Sequence, residues 1–296
     1  MVYLFIVSLI WAFSFGLIKG NLAVVDSTFV AFARMLIAAI VFVPFLQFRG
    51  ISRSVKLKLS VTGLAQFGLM YIFYLAAFKS LQAYEVALFT IFTPVFVTLI
   101  DDAFNRRFNL LHLLVALITI VGTWIIKGEA FQSREILSGF LLVQASNLCY
   151  AFGQIYYRRV MNANPDLKDK QVFGYLYLGG LAVTALFTII LTPLSTLTLS
   201  STQVLTLLYL GAIASGLSFF LWNIGARLVN TGTLAVFNDL KIPLAVAVSL
   251  LIFGEQTNLP KLLIGGTIIV AALVMNEALS MQQKPSTVID EKKPLG

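Results

Sequence analysis

Long apolar runs broken by brief polar gaps dominate this chain. A helix crossing a hydrocarbon core of about 30 Å needs about 20 mainly apolar residues. Ten stretches meet that pattern, at 3–20, 28–48, 57–78, 85–100, 110–126, 136–157, 172–192, 204–226, 232–253 and 262–275. The fourth and tenth are short for a full crossing. The gaps are too short for a separate soluble domain, and 158–171 is the one expected to form a sizeable loop. The pattern predicts an all-α polytopic membrane protein of ten transmembrane helices. Residues 280–296 are polar, carry Pro285 and Pro294, and read as a disordered tail.

Composition agrees. Of 296 residues, 59% are hydrophobic and 11% charged, against about 25% charged in an ordinary soluble domain. A soluble fold of this length would lack the polar side chains to cover its surface, whereas lipid solvates apolar ones directly. The net charge of +8 does not point to nucleic acid, because the basic residues sit in the gaps between spans instead of on one face. With the N-terminus inside, fourteen lysines and arginines fall in cytoplasmic segments, five in outer segments, and Arg34 and Lys241 within spans. That bias predicts both termini in the cytoplasm of a bacterial inner membrane. The first span has no basic leader and no obvious small-residue cleavage site, so it reads as a retained helix.

Weak internal repetition runs through the chain. Ser8-Leu-Ile-Trp11-Ala-Phe13 aligns with Asn147-Leu-Cys-Tyr150-Ala-Phe152 at an offset of 139. Residues 77–94 align with 226–243, and 114–121 with 263–270, both at an offset of 149. Five crossings per half is odd, so the second half must enter from the opposite side. The expected architecture is two inverted five-helix repeats, 1–130 and 131–279, with the tail from 280. Such folds place substrate near mid-membrane, at the repeat interface.

Polar groups within spans are costly and ask for a partner or a wet cavity. On the sixth span Gln144, Asn147 and Gln154 share a face with Tyr150 at its edge; on the first, Ser8, Trp11 and Ser14 recur every three residues. The eighth offers Ser215, Ser218 and Trp222 with Asn223 beside them, and the third offers Gln66, the repeat mate of Ser215. Serines in such helices commonly serve close packing, as Gly211 with Ser215 would. The amides Gln144, Asn147 and Asn238 favour a cavity, having four hydrogen-bonding sites each. Asp239 and Lys241 are two apart on the ninth span and point about 200° from each other; Pro243 follows and loosens the helix. Lys241 reads as a cavity cation in preference to a snorkelling lysine, while Arg34 fits either reading equally. Glu85 is expected at the interface. Trp11, Trp222 and Tyr150 could form a flat-faced box around a bicyclic or aromatic ligand.

Catalysis finds no support: there is no Walker A loop, no H-E-x-x-H and no G-x-S-x-G. One cysteine, Cys149, and one histidine, His112, cannot build a thiolate or imidazole metal site. No cofactor and no obligate protein partner are expected; the expected partners are lipid and a small-molecule substrate.

The strings Ile10-Trp-Ala-Phe-Ser-Phe15, Val25-Asp-Ser27, Val143-Gln-Ala-Ser-Asn147, Ala214-Ser-Gly216, Trp222-Asn-Ile-Gly-Ala226 and Gly232-Thr-Leu234 before Asn238 and Pro243 carry a family resemblance. With the ten-helix pattern they resemble the drug/metabolite transporter superfamily, its EamA-type members, and within these the bacterial biotin-transporting branch. The likeness runs from the first to the ninth span. It implies biotin uptake by alternating access. On that reading Lys241 or Arg34 takes the ligand carboxylate, Gln144, Asn147 and Asn238 the ureido edge, and Trp11, Trp222 and Tyr150 the ring faces. Asp239 and Lys241 depart from the family's less charged pattern at those positions. An exporter of amino acids or other amphipathic metabolites is the alternative, and a scaffold or intramembrane enzyme the reading from outside transport.

Overall fold

The computed structural model describes residues 1–106, 118, 133–229, 231–264, 267–268, 271 and 274. All of the fifth predicted span but residue 118, half of the tenth and the tail lie outside the described residues. Among the described residues the chain is helical, with no strand. Seven helices are long and apolar enough to cross a membrane: α1 Val2–Leu22, α2 Ser27–Phe45, α3 Arg53–Ala77, α4 Ala83–Phe104, α5 Arg134–Asn162, α6 Asp169–Leu191 and α7 Ser201–Leu228. An eighth, α8, spans Thr231–Leu251 and runs through Pro243 without a break. The fourth predicted span is therefore longer than its apolar run, with 22 residues. The expected loop at 158–171 is shorter, because α5 continues to Asn162 and α6 starts at Asp169.

Local chemistry sets the helix starts. Asp26 accepts from the Thr28 and Phe29 N–H groups at the start of α2, and Ser52 from Val55 N–H at the start of α3. Gln82 with Glu85, and Ser200 with Gln203, form reciprocal capping boxes on α4 and α7. Glu85 is 3% exposed, buried where it caps the first turn of α4. Glu255 adds a second cap from beyond α8, accepting from Ala83 N at 2.8 Å and Tyr84 N at 3.0 Å, while Ser249 Oγ donates to it at 2.6 Å.

The helices interleave. α2 packs on α6 and α7, α1 on α7 and α8, α3 on α5 and α6, and α4 on α5 and α8. Helices before residue 106 thus face those after residue 133, and the core lies between the two sets. The α3–α6 crossing is close: a Cβ on Gly63 would overlap the Leu176 backbone carbonyl, and one on Gly179 would overlap the Ser60 carbonyl.

Three segments are wound wider, as π-helix: Ile18–Leu22 in α1, Leu64–Leu69 in α3 and Leu210–Leu217 in α7. The last two carry Gln66 and Ser215, the pair related by the offset of 149. Wide turns loosen the backbone ladder and are frequent at functional sites.

Candidate functional site

The π turn of α7 leaves backbone carbonyls for side chains to use. Trp11 Nε1 donates to Ala214 O at 2.8 Å. Tyr177 OH lies 3.0 Å from Ser215 O and 2.6 Å from Gly216 O. These bonds fix α1 and α6 against α7 and set the Trp11 indole into the core.

A cavity of about 70 Å³ opens beside it, walled by residues of α1, α2, α3, α4, α5, α7 and α8. Of the residues singled out from the sequence, Trp11, Ser14, Arg34, Asn147, Tyr150 and Lys241 line it. Gln66, Gln144, Trp222, Asn223 and Asn238 stand outside its wall, and the Asp239 side chain lies outside the described residues.

Arg34 is 2% exposed, which excludes snorkelling. Its Nε donates to Ser215 Oγ at 3.0 Å and its Nη2 to Tyr71 OH at 2.6 Å, and Tyr71 OH and Ser215 Oγ are themselves 3.0 Å apart. Nη1 is buried without a hydrogen-bond partner. Ser215 therefore serves the guanidinium in addition to helix contact. The charge of Arg34 faces neutral oxygens, and among the described residues no carboxylate pairs with it.

Lys241 is 5% exposed and also lines the cavity. Its Nζ lies 5.2 Å from the Trp11 and Tyr150 ring centroids and 5.9 Å from that of Trp222, within cation–π range. The two indoles are 4.9 Å apart at 36°, and Phe219 packs 5.0 Å from Trp11. Trp11, Tyr150 and Trp222 are thus brought together as expected from their stripes, with Trp222 one layer behind the wall. Phe219, Tyr71 and Tyr74 are wall residues that sequence reasoning missed. Phe219 was readable as the residue three before Trp222 on its face; the tyrosines had no polar stripe to mark them.

Gln144 and Asn147 serve a break in α4. Pro94 has no N–H, and a 3₁₀ turn at Thr90–Phe92 precedes it. Asn147 Nδ2 donates to the Phe89 carbonyl at 2.9 Å and Gln144 Nε2 to the same oxygen at 3.3 Å. Thr93 Oγ1 donates to Asn147 Oδ1 at 3.3 Å. Ser8 and Ser14 bond back to Leu4 O and Ile10 O on their own helix.

Behind the indoles sits a second polar group. Trp222 Nε1 donates to Gln154 Oε1 at 2.9 Å, Asn238 Nδ2 approaches the same oxygen at 3.5 Å, and Gln66 Nε2 donates to Asn223 Oδ1 at 3.3 Å. Among the described residues no cluster of histidine, cysteine and acidic side chains could hold a metal.

The EamA-like transporter family matches residues 1–128 and again residues 137–277. A protein of Pseudomonas aeruginosa named "Probable biotin transporter" is 40% identical over 278 residues, covering 93% of this chain and 97% of its own. A "Biotin transporter" of Salmonella typhimurium is 34% identical over 295 residues, covering 99% and 98%. A solved crystal structure aligns with a TM-score of 0.69 over 96% of this chain and 98% of the other at 21% identity, a likeness of fold alone.

Proposed function

We propose that this chain, which belongs to the EamA-like transporter family, imports biotin across the bacterial inner membrane by alternating access. Two relatives covering more than nine-tenths of the chain bear that substrate in their names, and the cavity chemistry fits it. The observation that carries the reading is Arg34: a buried guanidinium with one unpartnered nitrogen at a cavity wall faced by aromatic rings. Such a nitrogen is an anion receptor, because an unsatisfied buried charge is costly and a carboxylate relieves it.

In this reading the biotin carboxylate bonds Arg34 Nη1, and Lys241 adds positive potential from the opposite helix set. The bicycle lies against Trp11, Tyr150 and Phe219. A space of about 70 Å³ holds a few waters, so the ligand enters by parting these rings. The cavity's position between the two helix sets suits a fold that rocks around a fixed site. The remaining architecture is proposed with it. Ten spans form two inverted repeats, 1–130 and 131–279, both termini are cytoplasmic, and 280–296 is a disordered tail; the family's two successive matches support the halving.

Uptake of radiolabelled biotin by a biotin-requiring strain lacking its own importer tests the function. Expression of this chain should restore growth at trace biotin. Failure to accumulate label, with the protein present in the membrane, would sink the reading.

A further inference from the structure

Three buried amides behind the Trp222 indole carry unpartnered atoms: Gln66 Oε1, Gln154 Nε2 and Asn238 Oδ1. Gln66 and Asn238 are 0% exposed and Gln154 is 1% exposed. Leaving such atoms unpaired in the membrane core is costly, so their presence needs a reason.

Their orientations are fixed by partners that can play only one role. An indole N–H only donates, so the Gln154 atom facing Trp222 Nε1 is its oxygen, and its nitrogen is left over. A backbone carbonyl only accepts, so Asn238 turns Nδ2 to Leu234 O at 3.1 Å and leaves Oδ1 over. Asn223 turns Nδ2 to Phe219 O at 2.9 Å, so its Oδ1 accepts from Gln66 Nε2, leaving Gln66 Oε1 over. The cluster therefore offers two acceptors and one donor.

The members are adjacent. Asn238 and Trp222 share Gln154 Oε1, and the Gln66 side chain lies against the backbone of Gly153, the neighbour of Gln154. They come from α3, α5 and α8, with Asn223 from α7, so the cluster bridges both helix sets.

We infer that Gln66, Gln154 and Asn238 form a concealed subsite for a cyclic urea, which presents two N–H donors and one carbonyl acceptor. This rests on the proposed biotin transport and replaces the Gln144 and Asn147 assignment, since those amides are engaged by the α4 break. Spacing agrees. Arg34 touches Ser215 and Tyr71; Asn223 is eight residues from Ser215 and Gln66 five from Tyr71, or about 12 Å and about 7–8 Å along their helices at about 1.5 Å per residue. The carboxylate and ureido carbonyl of extended biotin are on the order of 10 Å apart at bond lengths near 1.5 Å. A ring slid between the two indoles would present its edge to Gln154, which already holds the edge of Trp222.

The test is whole-cell competition against labelled biotin, using unlabelled biotin, its 2-imino analogue and the thiophane-valerate acid lacking the ureido ring. For the unmodified chain, biotin should compete at about 10²-fold lower concentration than the ureido-free acid, since a built hydrogen-bonding site rejects a ligand lacking those groups. Gln66→Met should shrink that ratio to about tenfold by loss of one bond, with the ureido-free acid competing as before. In Gln154→Glu an acceptor replaces the donor, so the guanidinium of the imino analogue should gain about tenfold over the urea, read with labelled imino analogue. Misfolding cannot produce that gain, so Gln154→Glu decides if Gln66→Met fails to reach the membrane. Variants present in the membrane that keep the original ranking overturn the subsite and leave biotin transport standing. Absence of biotin uptake by the unmodified chain overturns both.

Discussion

Arg34 and Tyr71 are bound twice over: Nη2 donates to the phenol oxygen at 2.6 Å, and the guanidinium carbon stands 4.2 Å from the centroid of the same ring. Tyr71 thereby holds the planar fork in one orientation and leaves Nη1 without a partner, the atom proposed to take the ligand carboxylate. Lysine cannot copy this, because an ammonium is a point donor without the fork. Arg34→Lys should lower biotin uptake by at least about 10²-fold, as expected when one partner of a buried charged bond is removed. Initial rates normalised to protein in the membrane check this; a change below about threefold would mean the carboxylate is held elsewhere.

Lys241 contributes charge from among rings. Lys241→Ala removes that potential and leaves Trp11, Tyr150 and Trp222 free to close on one another. We expect the apparent affinity for biotin to weaken about tenfold, the scale of one desolvated cationic contact, while the maximal rate falls less. Concentration-dependent uptake separates the two; an unchanged half-saturation would remove Lys241 from the ligand's surroundings.

Close approach of α3 and α6 depends on two glycines. Because a methyl on Gly63 would overlap the Leu176 carbonyl, Gly63→Ala must push two backbones apart. Overpacking of this kind costs about 1–3 kcal/mol. Thermal unfolding of the purified protein in detergent should show a clearly lower midpoint, with Gly179→Ala behaving alike from the other side of the crossing.

Asp26 predicts an acid sensitivity. Burial would raise its carboxyl, but bonds from Thr28, Thr192 and the Phe29 N–H outweigh that, with help from Lys79, and hold it below its ordinary value. Its pKa is thus lower folded than unfolded, so its stabilisation is full above the unfolded pKa of about 3.9 and is lost as pH falls through the folded value. Thr192→Val removes one of those bonds, which is 2.7 Å long. Thermal unfolding followed by tryptophan fluorescence should then show a lower midpoint than the unmodified protein near neutrality, with the difference shrinking as pH falls through the folded pKa of Asp26.

Much of the fold was legible in the sequence. Burial in lipid demands continuous apolar runs, and eight of the ten predicted spans correspond to described helices. Boundaries were less legible. Polar caps such as Gln82 with Glu85 extend α4 beyond its apolar run, and α5 continues through Arg158 and Arg159 because charged residues suit a helix end emerging from the membrane. Helical spacing also placed Trp11 and Ser14, and Asn147 and Tyr150, on shared stripes. It could not separate Asn147, which lines the cavity, from Gln144, which does not, although both bond the Phe89 carbonyl beside the 3₁₀ turn.

By itself the amino-acid order determined the membrane class, the number of apolar runs and each polar residue's angular place on its own helix. Those follow from local rules: lipid solvates apolar side chains, and 3.6 residues make a turn. Only the tertiary structure decided that Arg34 meets Tyr71 and Ser215, that Lys241 stands among three rings, and that Gln66, Gln154 and Asn238 gather behind Trp222 with unpaired atoms. Which faces meet depends on how neighbouring helices cross and rotate. Close glycine contacts and π turns set those angles between residues on different helices, where no sequence period reaches.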